Sequence, residues 1–476
     1  MSEPSPIIVD LCVIGAGAAG IAAATTAAAF GVSVALVEKG AMGGGRISAD
    51  IPLAALRATM QRLTLINEAA GVSVAGGPGQ ADFAAAAARA KAVAALAARD
   101  DSEERLTAMG VRVMREPARF IDDRTIRAGA TTIRARRFIL ATGSAPDLSI
   151  AQGLAGAEPL TVETMLDLPQ PPQRLLILGG DPSALELAQL FRRFGSDVRL
   201  LTPRSPIEDH DPEMTRIVLQ RLLHDGVRVT GHARVESIGQ TEGGISTRFS
   251  TGPLRDAAVA DRVLIATERR PRIDGLDLAK AGVAFDRSGV TVDAGLRTSS
   301  RRIYAIGDCA AGQPRSVHAA IHHARLVVRS ALFRLPFRID ASMIPRFLSC
   351  DPEIAACGLM EDDARRMRSD VVTLRWPFAE NDRARADNMS EGHVKIVATR
   401  RGRILGAALV GRGAGDMLPL WSFAITTRRR LSDIAGLVAP YPTLSEISTR
   451  AAIGALAPLT RSPQLRRVIA LLRRLG

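Results

Sequence analysis

Lysine, tyrosine and tryptophan are scarce in this chain of 476 residues. It has two tyrosines and two tryptophans, and only four of its 62 basic residues are lysine, so arginine carries most of the positive charge behind the net +13. We attribute this bias to a GC-rich genome, because net charge bears on solubility and association more than on fold or chemistry. Basic and aromatic residues do not alternate as they do on surfaces that bind single-stranded nucleic acid. We therefore predict no nucleic-acid partner.

Cysteine is also sparse, and its spacing excludes several kinds of site. None of the four cysteines forms a CxxC pair or a metal-type cluster with histidine, which argues against a zinc site and fits a reducing cytoplasm. His318, His322 and His323 lie near one predicted helix start but lack acidic or cysteine partners, so we predict no metal. The cysteines are Cys12, Cys309, Cys350 and Cys357.

One apolar run, residues 16–37, is long enough to suggest a membrane span. Its glycine pattern and the Glu38-Lys39 that follows it favour a buried strand–helix–strand unit instead. No signal peptide is evident, and we expect a cytoplasmic protein.

The most informative feature is a phosphate-binding fingerprint near the N-terminus. A predicted strand runs into Gly15-x-Gly17-x-x-Gly20 and an alanine-rich helix, and Glu38 follows 23 residues after Gly15, at the end of a second apolar run. The glycines allow a tight turn and the close approach of a pyrophosphate, the helix N-terminus supplies N–H donors, and the acid binds ribose hydroxyls. This pattern predicts one site for an adenine dinucleotide.

A second copy of this fingerprint is altered where it would contact phosphate. It keeps Gly179, but Asp181 replaces the middle glycine, Ala184 replaces the last, and Thr202 stands where an acid would favour NAD. Arg204 either binds the 2′-phosphate of NADP or is one of many surface arginines. Three alternatives stay open for this second site: it binds NADPH, it binds NADH, or it does not bind a nicotinamide nucleotide productively.

Apolar periodicity and turn residues divide the rest of the chain into further elements. We predict a helix over 82–99 that 103–109 extends, and a proline-rich linker over 168–173. A second strand–helix–strand unit is predicted over 174–202. The other predicted strands are 111–114, 125–126, 132–134, 137–140, 261–266, 302–308, 371–374, 394–398 and 404–410, and further helices begin near 317 and span 417–427 and 444–454.

These elements predict an α/β fold with an internal duplication: two Rossmann-like dinucleotide-binding domains. Each copy has a fingerprint, a helix and a closing strand that ends in Ala-Thr, at residues 141–142 and 266–267. A third unit begins near Ile344. Two dinucleotide units in one chain suggest electron transfer from one dinucleotide to another.

Six motifs follow one another in a fixed order: Gly15–Gly20 with Glu38, Ala141–Pro146, Arg269–Pro271, Tyr304–Asp308, Asp351–Leu359 and Tyr441–Glu446. In these motifs the chain resembles the class I pyridine nucleotide-disulfide oxidoreductases, from Ile7 to about Ala457. The resemblance implies a homodimer and three domains, followed by a tail. The implied ranges are 1–150 and 273–342 for FAD, 151–272 for NAD(P), 343–460 for a C-terminal α+β dimerisation domain and 461–476 for the tail.

The resemblance also implies which residues bind the cofactors. Asp308 would hydrogen-bond the ribityl chain of FAD, and the helix that begins at His318 would direct its positive end at the flavin pyrimidine ring. Glu268 stands where the family has glycine and adds negative charge to the second site. The residues implied for FAD are Gly15, Gly17, Ala18, Ala19, Gly20, Glu38, Lys39, Gly44, Arg46, Ala118, Ala141, Thr142, Gly143, Asp308, His318 and Ala319, and those implied for NADH or NADPH are Gly179, Asp181, Glu186, Thr202, Arg204 and Glu268.

The chain departs from the family at the redox centre. Alignment on Ile51-Pro52 places Gly45 and Asp50 at the family's two redox cysteines, whereas alignment on the glycines places Arg46 at the first. Neither alignment gives a thiol, which a dithiol–disulfide relay needs beside the flavin. We therefore predict that disulfide reductase, dihydrolipoamide dehydrogenase and mercuric reductase activities are absent.

Two further departures concern acid–base groups. The family's lysine near flavin N5 is Ala54 here, although its glutamate partner remains as Glu186. The histidine of the disulfide reductases is Tyr441, and Glu446 remains. Tyr441 is either a hydrogen-bond donor to an acceptor such as a quinone oxygen or an interface aromatic without chemistry. Tyr441, Glu446 and Glu186 are the catalytic candidates.

The favoured hypothesis is an FAD-dependent NAD(P)H oxidoreductase without a redox disulfide. Electrons would pass from NADH or NADPH through FAD to a quinone or another small acceptor. Two alternatives stay open. One is a soluble transhydrogenase-like enzyme, which needs an intact second nucleotide site, and the other is a non-catalytic flavoprotein that serves as a sensor or assembly partner.

Residues 462–476 predict a basic amphipathic helix. Its apolar face carries Leu465, Val468, Ile469, Leu472 and Leu475, and arginines flank that face. Such a helix either lies on an anionic bilayer, which would place the protein peripherally at the inner face of the membrane, or packs on the protein's own dimer surface.

Overall fold

The computed structural model describes residues 5–73, 79–151, 158–267, 269–460 and 463–474. Their strands and helices form three units. The second unit is inserted into the first, because the chain returns to the first sheet after residue 271.

Residues 7–146 form most of the first unit. A π-helical turn over Arg46–Asp50 leads directly into the second helix, whose first turn contains Pro52, where no N–H donor is needed. In chain order the elements are β1 (Ile7–Ile14), α1 (Ala18–Ala29), β2 (Val34–Val37), α2 (Ile51–Glu68), α3 (Phe83–Ala98), α4 (Glu103–Ala108), β3 (Val111–Met114), β4 (Ala118–Phe120), β5 (Thr125–Ala128), β6 (Thr131–Leu140) and β7 (Ser144–Pro146).

The second unit has a four-stranded parallel sheet of order β10-β9-β8-β14, and a three-stranded antiparallel sheet packs its apolar face against it. A short last strand, β15, pairs with β7 of the first unit. The elements are β8 (Arg174–Leu178), α5 (Pro182–Arg193), β9 (Asp197–Leu201), α6 (Pro212–His224), β10 (Arg228–Thr230), β11 (Ala233–Thr241), β12 (Gly244–Thr251), β13 (Leu254–Ala260), β14 (Arg262–Ile265) and β15 (Arg269–Pro271).

The returning segment contains β16 (Phe285–Asp286), β17 (Gly289–Val290), β18 (Ile303–Ala305) and α7 (Val317–Phe333). Strand β18 pairs with β6 in parallel and so completes the first sheet, whose other strands follow the order β3-β2-β1-β6-β5-β4. Helix α7 packs against α1, where a row of alanines allows the two helices to lie close together.

The third unit is a five-stranded antiparallel sheet of order β19-β20-β23-β22-β21. Trp421 is fully buried, and its Nε1 donates a hydrogen bond to Ser448 Oγ at 3.1 Å, which joins two of the helices that cover the sheet. The elements are β19 (Arg346–Leu348), β20 (Glu353–Gly358), α8 (Glu361–Met367), β21 (Val371–Pro377), α9 (Asp382–Ala386), β22 (His393–Thr399), β23 (Ile404–Gly411), α10 (Ala414–Thr426), α11 (Leu431–Ala435), α12 (Glu446–Thr460) and α13 (Pro463–Leu472).

A buried lysine joins the second and third units. Lys395 on β22 is 4% exposed, and its Nζ lies 2.8 Å from Asp211, 2.8 Å from Glu213 and 2.9 Å from Glu361. Arg375 on β21 also pairs with Glu213, at 2.5 Å. We call these five residues the Lys395 cluster. Because Asp211 and Glu213 begin α6, the cluster fixes the N-terminus of that helix on the third sheet.

The predicted α/β class and the duplicated strand–helix–strand units are confirmed, and residues 16–37 form the buried unit expected there. Several element predictions were wrong. Residues 132–134 and 137–140 belong to one strand, β6, because Arg134 and Arg136 occupy exposed positions that alternate with buried ones. The strand predicted over 302–308 covers only 303–305, and a 3₁₀ turn follows it.

Other elements had no counterpart in the prediction. These include the long helices α2 and α6, the short helix α8, and the strands β4, β10, β11–β13, β19 and β20. Strand β13 exposes five of its seven residues, so it lacks the apolar run on which strand prediction depends. Among the described helices, none is both long and apolar enough to span a bilayer.

Candidate functional site

The first phosphate-binding loop joins β1 to α1, and its three glycines serve different purposes. Gly15 has a φ of +102°, and a Cβ there would lie 2.4 Å from the carbonyl oxygen of Ala141. A Cβ at Gly20 would lie 1.8 Å from the carbonyl oxygen of Gly15, so packing alone requires glycine at both positions. A Cβ at Gly17, the N-cap of α1, would meet no described atom within 4 Å. The open side of Gly17 therefore leads to the N–H groups that a phosphate would bind.

Glu38 follows β2 at the same edge of the sheet. Its carboxylate accepts hydrogen bonds from the backbone N–H of Ala16 and of Gly40, both at 2.6 Å. These bonds hold the acid beside the phosphate loop, as the dinucleotide fingerprint requires. The adjacent Lys39 is exposed.

The end of β6 contributes polar groups to this edge. Thr142 Oγ1 is buried and has no hydrogen-bond partner among the described residues. Ser144 Oγ donates a hydrogen bond to Asp308 at 2.7 Å and accepts one from Arg269 Nε at 2.9 Å. An open glycine, a fixed acid and an orphaned buried hydroxyl at one sheet edge fit an adenine dinucleotide such as FAD.

The other residues predicted to contact FAD lie near this edge or bind protein groups. Ala18 and Ala19 begin α1, and a Cβ at Gly44 would lie 3.1 Å from Gly17 Cα. Arg46 pairs with Asp101 at 2.5 Å. His318 Nε2 lies 2.8 Å from the carbonyl oxygen of Pro345, so this side chain contacts the start of the third unit.

The turn before α2 carries no thiol. Asp50 is the last residue of the π-helical turn, and it is exposed while Ala49 and Leu53 beside it are buried. Although its side chain is exposed, enough protein surrounds the carboxyl group for burial to raise its pKa to about 6. The charges of Asp308 and Glu186 also raise the pKa of Asp50, while Arg269 and Arg57 lower it.

Glu186 on α5 has an ion-pair partner that we did not predict. Its Oε2 lies 2.8 Å from Nη1 of Arg57 on α2, and its Oε1 accepts hydrogen bonds from the N–H and hydroxyl of Ser349 at 2.8 and 2.7 Å. Arg57 lies three residues after Ala54, the position of the family's lysine, and residues three apart share a helix face. The sequence therefore contained the signal for this pair one helical turn beyond the position that we compared.

All four cysteines are free and buried, and each lies outside the predicted redox positions. Burial raises the pKa of every one of these thiols, which disfavours the reactive thiolate. Cys309 is the one next to the strand ends of the first sheet, and its Sγ donates to the carbonyl oxygens of Leu140 and Ile306 at 3.4 and 3.3 Å.

The second phosphate-binding loop joins β8 to α5. Gly179 has a φ of +151°, and a Cβ there would lie 1.8 Å from the carbonyl oxygen of Ala266, so the first glycine is required for packing as at Gly15. Asp181 is the N-cap of α5, and Pro182, which has no N–H, follows it. This helix N-terminus therefore offers a phosphate one donor fewer and brings a carboxylate close to it.

A cavity of about 280 Å³ lies in front of the second loop. Arg204 lines it and pairs with Glu208 at 2.9 Å, and buried Thr202 donates a hydrogen bond to the Arg204 carbonyl oxygen at 2.5 Å. The backbone frame fits a dinucleotide, and Arg204 is the cation that would face its phosphates. Glu268 lies outside the described residues. The carboxylates that line the cavity are Asp147, Asp181, Glu208 and Asp209.

Within one chain, the three catalytic candidates lie in two separate places. Tyr441 is 68% exposed, and its hydroxyl donates a hydrogen bond to Asp382 at 3.2 Å, which raises the pKa of Tyr441. Glu446 begins α12 and pairs with Arg450 at 2.8 Å. Glu186 instead contacts α2 and the segment after β19.

This chain is similar to known proteins in sequence and in fold. The pyridine nucleotide-disulphide oxidoreductase family matches residues 9–324, and the dimerisation domain of that family matches residues 344–452. The chain is 31% identical to a dihydrolipoyl dehydrogenase from Geobacillus stearothermophilus, over 94% of this chain and 96% of that protein. It is 30% identical to a mercuric reductase from Staphylococcus aureus, over 92% of this chain and 80% of that protein.

The fold is similar to that of LpdA from Mycobacterium tuberculosis. The two structures superpose with a TM-score of 0.84 and 25% sequence identity, over 93% of this chain and 99% of that one. Members of the matching family bind FAD and use NADH or NADPH. The matched dimerisation domain supports a homodimer. The chain thus belongs to the pyridine nucleotide-disulphide oxidoreductase family and is an FAD-dependent pyridine nucleotide oxidoreductase.

Proposed function

We propose that this chain passes electrons from NADH or NADPH through FAD directly to a small acceptor such as a quinone, without a redox disulfide. The observation that carries this proposal is the turn before α2, which contains no cysteine: alignment on Ile51-Pro52 places Gly45 and Asp50 at the two redox positions, and alignment on the glycines places Arg46 at the first. A disulfide relay needs an accessible thiolate at that point. The cysteines of this chain are instead buried elsewhere.

We assign FAD to the domain formed by residues 1–150 and 273–342. In this assignment the N–H groups of α1 beyond Gly17 bind the pyrophosphate, Glu38 binds the ribose and Asp308 binds the ribityl chain. Bound FAD supplies two-electron transfer between the nicotinamide and the acceptor. The chain orients the two reactants and holds the charges around them.

The nicotinamide nucleotide is assigned to residues 151–272, with NADPH preferred. Arg204 lines the cavity in front of the second loop and supports binding of a 2′-phosphate. Thr202 stands at the position where an acid would favour NADH. We assign Glu186 to the same site as a positioning residue, which acts through its ion pair with Arg57. The dimerisation domain, 343–460, carries Tyr441 and Glu446, which we assign to the acceptor side of the partner's flavin.

A second candidate is a flavoprotein that does not turn over a nicotinamide and acts as a sensor or assembly partner. The four carboxylates around the second loop support this candidate, because they oppose a dianionic pyrophosphate. A transhydrogenase-like enzyme would need two productive nicotinamide encounters at that same loop, and the carboxylates count against it.

An anaerobic titration separates these functions. The purified yellow protein is mixed with NADPH and then with NADH, and the visible flavin absorption band is followed. We expect bleaching within seconds, more readily with NADPH, and then recovery of the band when a soluble quinone is added. A bound flavin that neither nucleotide bleaches would overturn the oxidoreductase proposal and leave the sensor or assembly protein.

We also propose that the tail contacts an anionic membrane. Helix α13 exposes Val468, Ile469, Leu471 and Leu472 by 47–60%, and arginines stand on and just after it. Apolar side chains flanked by arginine suit the interface of an anionic bilayer. Co-sedimentation with anionic but not zwitterionic vesicles, lost after truncation at residue 461, is the expected result. Equal sedimentation of full-length and truncated protein would favour packing of this helix on the dimer.

A further inference from the structure

Charged groups from four different elements influence the carboxyl group of Asp50 electrostatically. The groups that act on its carboxyl group are Arg57 of α2, Glu186 of α5, Arg269 of β15 and Asp308 after β18. Arg46, the other charged residue of the same π-helical turn, is directed to Asp101 instead. Asp50 is therefore the charged residue of this turn that interacts electrostatically with these four groups.

Each of these neighbours has a closer partner of its own. Arg57 pairs with Glu186 at 2.8 Å, Arg269 pairs with Glu163 at 2.9 Å, and Asp308 accepts a hydrogen bond from Ser144 at 2.7 Å. Within the described part of the chain, Asp50 forms no ion pair. Charges on neighbouring groups thus act on this carboxyl group, but no ion pair with a single cation fixes it in its ionised form.

We propose that Asp50 is an acid–base residue that gives a proton to the electron acceptor, at the position that alignment on Ile51-Pro52 equates with a redox cysteine of the family. This inference rests on the proposed function, in which the acceptor reacts directly at the flavin. Exposure of Asp50 next to buried Ala49 and Leu53 leaves its carboxyl group accessible to a small acceptor.

The proposed step balances with a quinone as acceptor. One quinone oxygen takes up a hydride from the reduced flavin, which NAD(P)H has supplied, and the other oxygen takes a proton from the Asp50 carboxyl group. An O–H bond forms at each end, the O–H bond of Asp50 and the bond that held the hydride on reduced FAD break, and the two-electron product is the hydroquinone. Water then returns a proton to the carboxylate.

The ionisation of Asp50 suits this role. Its pKa of about 6, raised from 3.8, keeps a useful fraction of the carboxyl group protonated near neutral pH. The acidic form donates the proton, so the acceptor step should slow as pH rises through the pKa. The charged groups that set this pKa come from α2, α5, β15 and the turn after β18, as given above.

The test uses FAD-bound protein and begins without nucleotide or acceptor. The visible spectrum of the oxidised flavin is recorded between about pH 4.5 and 8.5, because a carboxylate that forms near the ring perturbs its absorption. We expect one transition near pH 6 in the wild type, its loss in Asp50→Asn and its return in Asp50→Glu. Ser48→Ala, an exposed substitution in the same turn, is the control and should keep the transition.

The second measurement is reoxidation by quinone after reduction of the flavin with dithionite, so that it does not depend on the nicotinamide site. In Asp50→Asn we expect reoxidation at pH 6 to be about a hundredfold slower, which is the lower end of the effect of losing a general acid, and to be independent of pH. A spectral transition near pH 6 that persists in Asp50→Asn overturns the proposal, as does unchanged reoxidation. Asp50→Ser replaces Asp50→Asn if that variant does not retain FAD. Failure of both NADPH and NADH to bleach the flavin would instead contradict the proposed function alone.

Discussion

At the scale of single residues, Gly17 and Gly20 should respond differently to the same substitution. Gly17→Ala introduces a Cβ that meets no described atom within 4 Å, so the variant should fold normally. The added methyl group would lie between α1 and the pyrophosphate, and we expect the Kd for FAD to rise at least tenfold, or about 1.4 kcal/mol. Titration of the deflavinated protein with FAD, followed by flavin fluorescence, measures this change.

Gly20→Ala is the matched comparison. Its Cβ would lie 1.8 Å from the carbonyl oxygen of Gly15, so the backbone must move. We expect a loss of about 3 kcal/mol in the free energy of unfolding, seen by urea denaturation of both variants without FAD. Equal stability losses in the two variants would contradict the separate roles that we give to these glycines.

Asp181→Gly should improve the second nucleotide site. The substitution restores the middle glycine of the loop and removes a carboxylate from the N-cap of α5. We expect the KM for NADPH in a quinone reductase assay to fall about tenfold, or about 1.4 kcal/mol. The reductive half-reaction, measured by stopped flow, should show the same gain in affinity.

Asp209→Asn serves as the control for that substitution, because Asp209 lines the same cavity but lies outside the loop. Asp209→Asn should change the KM for NADPH by less than twofold. If both variants lower the KM equally, the overall negative charge of the cavity, rather than the loop position, limits nucleotide binding.

At the scale of elements, the Lys395 cluster is the contact whose loss should be most costly. Lys395→Met leaves Asp211, Glu213 and Glu361 near one another without the buried cation between them, although Arg375 still pairs with Glu213 and Arg365 with Glu361. We expect a loss of about 3 kcal/mol in the free energy of unfolding, measured by urea denaturation at pH 7. Lys280→Met is the control, since Lys280 is 61% exposed and should contribute less than about 1 kcal/mol.

The same cluster should make stability depend on pH. Hydrogen bonds from Arg375 and then Lys395, against the opposing effect of burial, lower the pKa of Glu213 to about 2 from an ordinary 4.5. Burial likewise opposes the shift at Glu361, but Lys395 and Arg365 lower its pKa to about 2. Depressed carboxyl pKa values stabilise the fold fully above pH 4.5 and lose that effect as pH falls toward 2. The wild type should therefore lose stability across this window, and Lys395→Met should lose less.

How far the elements could be predicted depended on where their apolar residues lie. Strands β1, β2 and β8 are continuous apolar runs in a parallel sheet, so their positions were evident. Strands β11 to β13 are antiparallel, with exposed residues on one face, and they were missed. The Arg57–Glu186 pair was missed for another reason: only position 54 was compared with the family's lysine, whereas the basic partner of Glu186 lies one helical turn later, 129 residues before Glu186 in the chain.

At the scale of the whole molecule, the chain should be a dimer whose interface includes the segment between α11 and α12. Leu437, Val438 and Tyr441 are exposed there by 46%, 98% and 68%, an arrangement typical of an interaction surface. We expect Val438→Glu to weaken the dimer at least tenfold, because the substitution places a charge in the apolar interface. Light scattering coupled to size-exclusion chromatography over a dilution series measures the effect.

Met367→Glu provides the comparison. Met367 is 70% exposed on α8, but arginines surround it in the sequence, so a glutamate there should leave the dimer intact. If Met367→Glu dissociates the dimer and Val438→Glu does not, the interface lies on the other side of the third unit.

The assembly of the units was only partly predictable. The order of the motifs indicated three domains and a return to the first after residue 271, because the Tyr304–Asp308 motif resembles a part of the FAD domain. The Lys395 cluster, by contrast, depends on Lys395 and Glu213, which are 182 residues apart. Ion pairs of this kind follow from how the units pack, and a single sequence carries no periodic signal for them.

The insertion of one domain into another affects the order of synthesis. A ribosome completes β8 to β15 before it makes β18, so the inserted domain has all its strands while the first sheet still lacks one. Because domains fold as units during translation, the inserted domain can fold first and bring the two halves of its host together. A nascent chain that stalls before residue 303 would therefore carry a folded insert in an unfinished host, with the edge of β6 exposed to other chains.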